Sequence, residues 1–280
     1  MNERADHRPE EVVYQDDGAI GRYASSVPRT FVGGLEIPAL TRQQIAGMLL
    51  DEAILRRGRK VPCLYLSTAN GQVISMCARD QKVHRLFQCA DGINADGMSV
   101  VFASRWLTNV GLPERVATTD MFHDAAKQAQ ERGASFYFLG AKEDMNRRAV
   151  EQIRQMYPKL RIAGRRNGYF SEADEPAIVA DINQAQPDVL WLGLGVPRQQ
   201  QFAVRHRANL TGVGAIQTCG GLFDFVSGKN SRAPMWMQQA GLEWAYRLML
   251  EPRRLFLRYA FTNVHAIAVM LTKTRHQGAD

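Results

Sequence analysis

Short apolar runs alternate with amphipathic segments through the middle of the chain. The runs indicate buried strands at residues 62–67, 136–139, 161–163, 189–192 and within 213–218. Between them apolar residues recur at helical spacing, as from Met145 to Met156, where Tyr157 and Pro158 end the pattern. Strands that alternate with helices in this way are typical of βαβ units, whose parallel sheet is covered by helices on both faces. The pattern predicts an α/β fold, Rossmann-like in the broad sense.

The two ends of the chain lack this alternation. The first residues show no apolar periodicity and predict a flexible tail, after which Thr41 is expected to cap the first helix. The last residues predict basic amphipathic helices, in which Pro252 marks a break. The predicted division is a tail at 1–30, an α/β core at 31–228 and a helical appendage at 229–280.

Positive charge is concentrated in the appendage. The chain has 35 Lys and Arg against 28 Asp and Glu, a net charge of +7, and the appendage holds eight basic against three acidic side chains. Arg247, Arg254 and Arg258 share one helical face. Solvated arginines on a helical cap and attraction to an anionic membrane surface both explain this pattern. Nucleic acid is not expected as a partner, because the sequence has no RNP motif, zinc finger or basic zipper.

Several motifs of cofactor sites and membrane spans are absent from the sequence. No run of 18 uncharged apolar residues occurs, and charges stand where a signal peptide has its apolar segment. The glycine-rich segment from Gly212 has Gln217 where a dinucleotide fingerprint requires a third glycine. Asn230 replaces the Ser or Thr of a phosphate-binding loop, and there is neither an Asp-x-Asp triplet nor an H-x-x-x-H pair. We therefore expect no cofactor and no metal ion.

Polar side chains and glycines follow the predicted strands, where open parallel sheets bind their ligands. These turns are expected at residues 68–72, 91–96, 140–142, 193–201 and 219–224. They hold the motifs T-x-N at Thr68 and Asn70, A-D followed by D-G at Asp96, and G-x-P-x-Q at Gly195, Pro197 and Gln199. P-E-R-V, with Arg115, follows the second motif, and G-L-E-W-x-Y-R-L with E-P-R-R lies in the appendage.

In this order the motifs resemble those of the bacterial WecG/TagA/CpsF family, glycosyltransferase family 26, from about Gly33 to the basic appendage. The resemblance implies a metal-independent, inverting transfer of a sugar from a UDP-sugar to a glycan linked to polyprenyl diphosphate. Such enzymes act in exopolysaccharide, capsule or cell-wall polymer synthesis, as cytoplasmic proteins peripherally associated with the inner face of the cell membrane. The appendage would dock on that membrane and contribute arginines to the site. Homo-oligomerisation is left open.

The resemblance assigns Asp96 as the base that deprotonates the acceptor hydroxyl, since an inverting transfer needs one base. Without the motif, a turn aspartate that caps the next helix is the simpler interpretation. Arginine forks suit a departing diphosphate, and Arg115 is the candidate in the core. In the appendage Arg247, Arg254 and Arg258 are candidates for the diphosphate or for lipid headgroups. The alternative for Arg115 is a salt bridge to Glu114 or another acid.

Neutral hydrogen-bonding groups complete the predicted site. Thr68, Asn70 and Gln199 suit sugar hydroxyls and phosphates, although turn and cap chemistry also explains them. By resemblance, Tyr169 would stack on uracil and Asp224 would accept from uracil or ribose. Gly195 and Pro197 belong to the same predicted nucleotide site.

Two positions depart from the family pattern. Gln72 and Gln200 stand where many relatives have Glu, and both changes remove a carboxylate near the predicted site. These two changes leave the identity of the sugar donor open. They also keep a second hypothesis in view, a non-catalytic UDP-sugar-binding or lipid-binding component of a polysaccharide assembly complex. A third hypothesis, an NAD-type oxidoreductase, conflicts with the absence of the third glycine from the dinucleotide fingerprint.

Overall fold

The computed structural model describes residues 27–59, 61–250 and 252–275. The side chains of residues 254, 255 and 257–260 also lie outside the described part. Most of the tail predicted at 1–30 therefore lies outside it, as do the side chains of Arg254 and Arg258.

The described strands and helices alternate as the sequence predicts. The strands are β1 (Arg29–Val32), β2 (Leu35–Pro38), β3 (Leu64–Ala69), β4 (Gly92–Ala95), β5 (Ser135–Gly140), β6 (Arg161–Arg166), β7 (Val189–Gly193) and β8 (Ala215–Thr218). The helices are α1 (Arg42–Arg56), α2 (Gly71–Arg79), α3 (Gln81–Gln88), α4 (Met98–Leu107), α5 (Thr118–Arg132), α6 (Glu143–Met156), α7 (Glu175–Ala185), α8 (Arg198–His206), α9 (Leu222–Val226), α10 (Met235–Gln239), α11 (Glu243–Leu250) and α12 (Pro252–Lys273).

Within the described residues, six strands form one parallel sheet in the order β4-β3-β8-β7-β5-β6. Every residue of β5 and of β7 is buried, as expected for strands covered on both faces. The predicted α/β fold is confirmed. Because all six strands run in one direction, their carboxyl ends form a single edge, and the turns that carry the sequence motifs meet there.

Side chains of neighbouring strand positions enter different cores. Phe136 packs with Trp191 in a cluster that includes α1 and α5, and Tyr137 packs with Phe202 in a cluster that includes α7 and α8. A third cluster lies between β4 and helices α2, α3 and α4. The alternation along β5 follows from strand geometry, in which successive side chains point to opposite faces.

Local signals set the boundaries of several helices. Thr41 and Gln44 form a capping box at the start of α1. Asn70 caps α2 by accepting a hydrogen bond from the backbone N–H of Val73 at 3.1 Å. Helix α6 ends at Met156, directly before Tyr157 and Pro158. The start of α1 and the end of α6 agree with the sequence prediction. Asn70 has the capping role that the sequence analysis gave as the alternative to sugar binding.

The hairpin of β1 and β2 was not predicted. Its turn is Gly33-Gly34, with φ of 59° and 85°, and Val32 pairs with Leu35 across it. Two residues at positive φ are the geometry of a type I′ turn, which glycine adopts without strain. The hairpin begins at Arg29, inside the segment predicted as a tail.

The appendage packs on the core mainly through the end of its last helix. As predicted, Pro252 separates two helices, α11 and α12. Ala266, Val269 and Met270 are buried in the cluster beside α2. After α12, Thr274 Oγ1 accepts a hydrogen bond from the backbone N–H of Gly33 at 3.1 Å. A search of the described residues finds no helix both long enough and apolar enough to cross a membrane.

Candidate active site

A cleft of about 780 Å³ opens at the carboxyl edge of the sheet, between the core and the appendage. Strands β3, β4 and β8 end beneath it, and helices α11 and α12 form its opposite wall. Both walls supply polar side chains: Thr68, Asn70, Gln72, Asp96, Ser99, Arg115, Thr118 and Gln199 from the core, and Arg232, Glu243, Arg247 and Asn263 from the appendage. Both also supply apolar side chains; those of the appendage are Trp244, Leu248, Phe256, Val264, Ala266, Ile267 and Met270.

Asp96 lies directly after β4, at the bottom of this cleft. Its backbone N–H donates to the carbonyl of Ala69 at 2.8 Å, which fixes the turn to the end of β3. Its Oδ2 accepts a hydrogen bond from Thr118 Oγ1 at 3.1 Å. Burial raises the pKa of Asp96 to about 6, although the charge of Arg115 and the hydrogen bond from Thr118 oppose that rise. Gly97, not Asp96, occupies the N-cap position of α4.

A carboxyl group with this pKa is suited to general-base chemistry at neutral pH. It is ionised above pH about 6, yet it is more basic than an exposed aspartate. The simpler interpretation, in which the Asp96 side chain caps the next helix, is not supported, because α4 has no side-chain cap hydrogen bond.

Thr68 and Asn70 lie beside Asp96. Thr68 belongs to β3 and pairs in register with Asn94, two residues before Asp96. The Cβ of Asn70 approaches the Asp96–Gly97 turn so closely that a Cβ added at Gly97 would stand 3.4 Å from it. The T-x-N and D-G motifs are therefore neighbours in space, as their place at the ends of adjacent parallel strands predicts.

Arg115 reaches the cleft but is held by acids. Its Nη1 donates to Glu243 Oε2 at 2.6 Å and its Nη2 to Gln238 Oε1 at 2.9 Å, while Asp120 Oδ2 lies 3.7 Å from Nη2. Glu243 and Gln238 belong to the appendage. The expected alternative, a salt bridge to another acid, is thus present, but the acids are Glu243 and Asp120. Glu114 instead accepts from a backbone N–H, that of Arg42.

Arg232 also lines the cleft and was missed by sequence analysis. Its Nη1 donates to Asp120 Oδ1 at 2.8 Å and its Nη2 to Gln238 Oε1 at 2.5 Å. The nearest sequence signal is its position in R-A-P, directly before α10. That segment has no periodicity, so nothing local indicates that Arg232 meets Arg115.

Among the appendage arginines predicted for the diphosphate, Arg247 lines the cleft. Its guanidinium stacks over the ring of Phe225 at 4.9 Å, a contact that orients the charge while leaving its N–H groups able to donate. The predicted roles of Arg254 and Arg258 fall on side chains outside the described part of the chain.

The G-x-P-x-Q turn borders the cleft through two of its residues, Val196 and Gln199. Gln199 is almost fully buried, and its Oε1 accepts from the backbone N–H of Gly220 at 3.2 Å. Gly195 has φ of 79°, and the bond before Pro197 is cis. Neither Gly195 nor Pro197 lines the cleft; both belong to the turn that leads into Gln199.

The two residues that depart from the family pattern occupy different environments. Gln72 lines the cleft at the start of α2. Gln200 is fully buried below it, where its Nε2 donates to Ser67 Oγ at 3.2 Å and its Oε1 has no described partner. A glutamate at Gln200 would place an unpaired charge in this interior, which is costly. The structure therefore accommodates Gln200 as a neutral residue.

Tyr169 and Asp224 do not line the cleft. Tyr169 follows β6, at the opposite edge of the sheet from β4, and 70% of its surface is exposed. Asp224 on α9 forms an ion pair with Lys229 at 3.1 Å. The structure thus brings together Thr68, Asn70, Asp96, Arg115, Gln199 and Arg247. The four residues predicted for the nucleotide, Tyr169, Gly195, Pro197 and Asp224, lie outside this group.

Known proteins share much of this sequence. A family model described as the glycosyl transferase WecG/TagA/CpsF family matches residues 30–279. An N-acetylglucosaminyldiphosphoundecaprenol N-acetyl-beta-D-mannosaminyltransferase of Bacillus subtilis (strain 168) is 34% identical over 189 residues, which are 68% of this chain and 72% of that protein.

Proteins of the same name from two other bacteria are also similar. The one from Bacillus spizizenii is 31% identical, over 68% of this chain and 72% of that protein. The one from Staphylococcus aureus (strain MRSA252) is 28% identical, over 69% of this chain and 74% of that protein. The similarity therefore extends through most of both chains in each comparison.

Proposed function

We propose that this chain, which belongs to the glycosyl transferase WecG/TagA/CpsF family, transfers a sugar from a UDP-sugar to a glycan. The glycan is linked to polyprenyl diphosphate. The resemblance of the sequence motifs to this family is confirmed by the family match. The observation that carries the proposal is Asp96, a carboxyl group of raised pKa in a cleft lined by arginines, neutral polar groups and large apolar side chains.

In this proposal Asp96 accepts the proton of the acceptor hydroxyl as the oxygen attacks the anomeric carbon of the donor. The attack comes from the face opposite the UDP leaving group, so the configuration at that carbon inverts. Thr118 Oγ1 holds Asp96 Oδ2 in place at 3.1 Å. Positioned general bases contribute on the order of 10²–10⁴-fold to such reactions.

The departing diphosphate carries negative charge that arginines can balance. Arg115 and Arg247 both line the cleft above Asp96, and guanidinium groups offer paired donors to phosphate oxygens. In this proposal they supply that stabilisation without a metal ion. Thr68, Asn70 and Gln199 border the same space and are assigned to the sugar and its phosphates.

The apolar side chains that the appendage contributes to the cleft suit an acceptor with a hydrocarbon chain. Phe256, Val264 and Ile267 line the cleft and are each more than half exposed. Phe261 and Leu271 extend the same exposed apolar surface of α12. Together with the basic residues of the appendage, this surface supports peripheral binding at the inner face of the cell membrane.

The names of the relatives supply the first substrates to test. We propose a UDP-N-acetylhexosamine as donor, with UDP-N-acetylmannosamine the first choice, and a diphosphopolyprenol-linked N-acetylglucosamine as acceptor. Product chains of this kind belong to cell-wall polymers or exopolysaccharides.

The test is transfer of radiolabelled sugar from a panel of UDP-sugars to a lipid-diphosphate acceptor, with and without EDTA. We expect transfer with at least one donor and the same rate in EDTA. UDP binding without turnover of any donor would instead support a non-catalytic component of an assembly complex. Transfer that EDTA abolishes would contradict the metal-independent mechanism.

A further inference from the structure

Arg115 and Arg232 are held side by side by one carboxylate of the appendage. Glu243 Oε2 accepts from Arg115 Nη1 at 2.6 Å, and Glu243 Oε1 lies 3.4 Å from Arg232 Nε. Each carboxylate oxygen therefore faces a different arginine. Arginines hold a phosphate group in the same way, because two oxygens on one phosphorus atom can each face a different guanidinium group.

The donors of Arg232 are not all used in this arrangement. Its Nη groups donate to Asp120, Thr119 and Gln238, but its Nε is buried and has no described hydrogen-bond partner. Glu243 is near enough to that Nε for an ion pair and too poorly placed for a hydrogen bond. A buried donor without an acceptor is costly, so a group that supplied an oxygen there would bind favourably.

The carboxylate comes from a helix that is not buried in the core. Glu243 is the first residue of α11, which has no buried residue, whereas the buried side chains of the appendage, such as Met237 and Met270, lie on α10 and α12. In contrast, Asp120, the other acid of the cluster, lies on core helix α5. The interaction with Glu243 can therefore be exchanged without disturbing the core.

We propose that the position of the Glu243 carboxylate is a phosphate subsite formed by Arg115 and Arg232, and that Glu243 is a built-in competitor for it. A phosphate of the substrate diphosphate displaces the carboxylate and takes over both arginines. This inference rests on the proposed function for its ligand, a diphosphate. It adds Arg232 to the groups that bind the substrate and makes α11 a segment that moves when the subsite is filled.

Inorganic pyrophosphate is the probe for this subsite, with binding measured by calorimetry at low salt. Glu243→Gln keeps the size and an acceptor oxygen but removes the competing charge, so we expect pyrophosphate to bind about tenfold more tightly than to the wild type. A merely structural role for Glu243 predicts the opposite sign, since loosening the cluster would weaken binding. Unchanged, weaker or absent binding in the variant would overturn the proposal.

Glu143→Gln is the matched control. Glu143 on α6 forms an ion pair with Arg165 at 2.7 Å, outside the cleft, so its loss changes the net charge equally without touching the subsite. We expect its pyrophosphate affinity to stay within about twofold of the wild type. An equal gain in both variants would show that net charge alone is responsible, and would overturn the proposal.

Hydrogen exchange gives a second measurement that needs no variant. If pyrophosphate displaces Glu243, the amides of α11 lose a contact that holds the helix on the core. We expect their exchange to become several-fold faster when pyrophosphate is added, because coupling between two binding events is reciprocal. Slower or unchanged exchange in α11 would contradict displacement.

Sugar transfer assayed in parallel separates this inference from the proposed function. Transfer by the wild type without an affinity gain in Glu243→Gln would reject the competitor and leave the glycosyltransferase proposal intact. A gain in pyrophosphate affinity without transfer from any UDP-sugar would reject the glycosyltransferase proposal and leave the subsite intact.

Discussion

The two walls of the cleft differ in what holds their functional groups in place. On the core wall, Asp96 follows a buried strand, and backbone hydrogen bonds of 2.8 Å join the Asp96 N–H to Ala69 and the Val116 N–H to Ala95. On the appendage wall, the contacts near the arginines are ion pairs between side chains, and large apolar side chains are exposed.

This difference separates the chemistry from the binding of charged and apolar groups. Backbone hydrogen bonds of a sheet edge are not exchanged for substrate contacts, so we expect Asp96, the proposed base, to keep its position when substrate binds. Ion pairs with arginine can be exchanged for a phosphate, and exposed apolar groups can be covered by lipid. We therefore expect loss of the Asp96 carboxylate on the core wall to lower kcat most, and changes in the docking contacts and ion pairs of the appendage wall to alter mainly stability and affinity.

The largest effect is expected at Asp96. Asp96→Asn keeps the shape of the side chain but removes its basicity, so kcat for sugar transfer should fall on the order of 10²–10⁴-fold. Binding of the UDP-sugar, measured by calorimetry, should change only a few-fold. Asp181→Asn is the control, because Asp181 pairs with Arg166 outside the cleft and its loss should leave kcat unchanged. Full activity in Asp96→Asn would remove the base assignment.

A smaller effect is expected where the appendage docks on the core. Met270 is only 4% exposed, so Met270→Ala should lower the free energy of unfolding by about 2–3 kcal/mol. Its neighbour Leu271 is 64% exposed, and Leu271→Ala should cost less than about 0.5 kcal/mol. Urea denaturation measures both. Equal losses would show that the end of α12 is not docked as the structure has it.

The smallest effect is a shift of the pH profile. Since the pKa of Asp96 is about 6 and its ionised form is the proposed base, kcat/KM should rise with pH through about 6 and then level off. Thr118→Val removes a hydrogen bond that favours the carboxylate, so the acid limb should move to higher pH, by up to about one unit. A profile that is flat across this range, or a shift to lower pH, would contradict the assignment.

The raised pKa of Asp96 also makes the stability of the fold depend on pH. The pKa of Asp96 is higher in the folded chain than the usual value of 3.8, so the folded state binds this proton more tightly than the unfolded state. The contribution to stability is complete below pH about 4 and is lost as the pH rises through about 6. Asp96→Asn should therefore weaken the fall in stability over this pH range.

The sheet and its carboxyl edge could be predicted from the sequence because their signals are local. Apolar runs such as 136–139 and 189–192 bury both faces of a strand, and Thr41 and Pro158 mark helix ends. Parallel strands then bring Thr68 and Asp96 to one edge without any knowledge of side-chain packing. The β1–β2 hairpin had a local signal too, since Gly33-Gly34 favours a two-residue turn, but its strands have only four residues each.

The ion-pair cluster could not be predicted in the same way. Arg232 and Asp120 are 112 residues apart, and Arg115 and Glu243 are 128 apart, so no spacing links them. Glu243 was visible in the G-L-E-W motif, yet its pairing depends on how the appendage lies on the core. The places of Tyr169 and Asp224 outside the cleft lining likewise follow from tertiary packing.

The configuration of the new glycosidic bond tests the central claim most directly. With a UDP-sugar of known anomeric configuration and a lipid-diphosphate acceptor, NMR of the product reports whether the anomeric carbon has inverted. A single base, Asp96, that activates the acceptor on the face opposite the diphosphate gives an inverted product, and that is the result we expect. A product with retained configuration would contradict this account of the cleft.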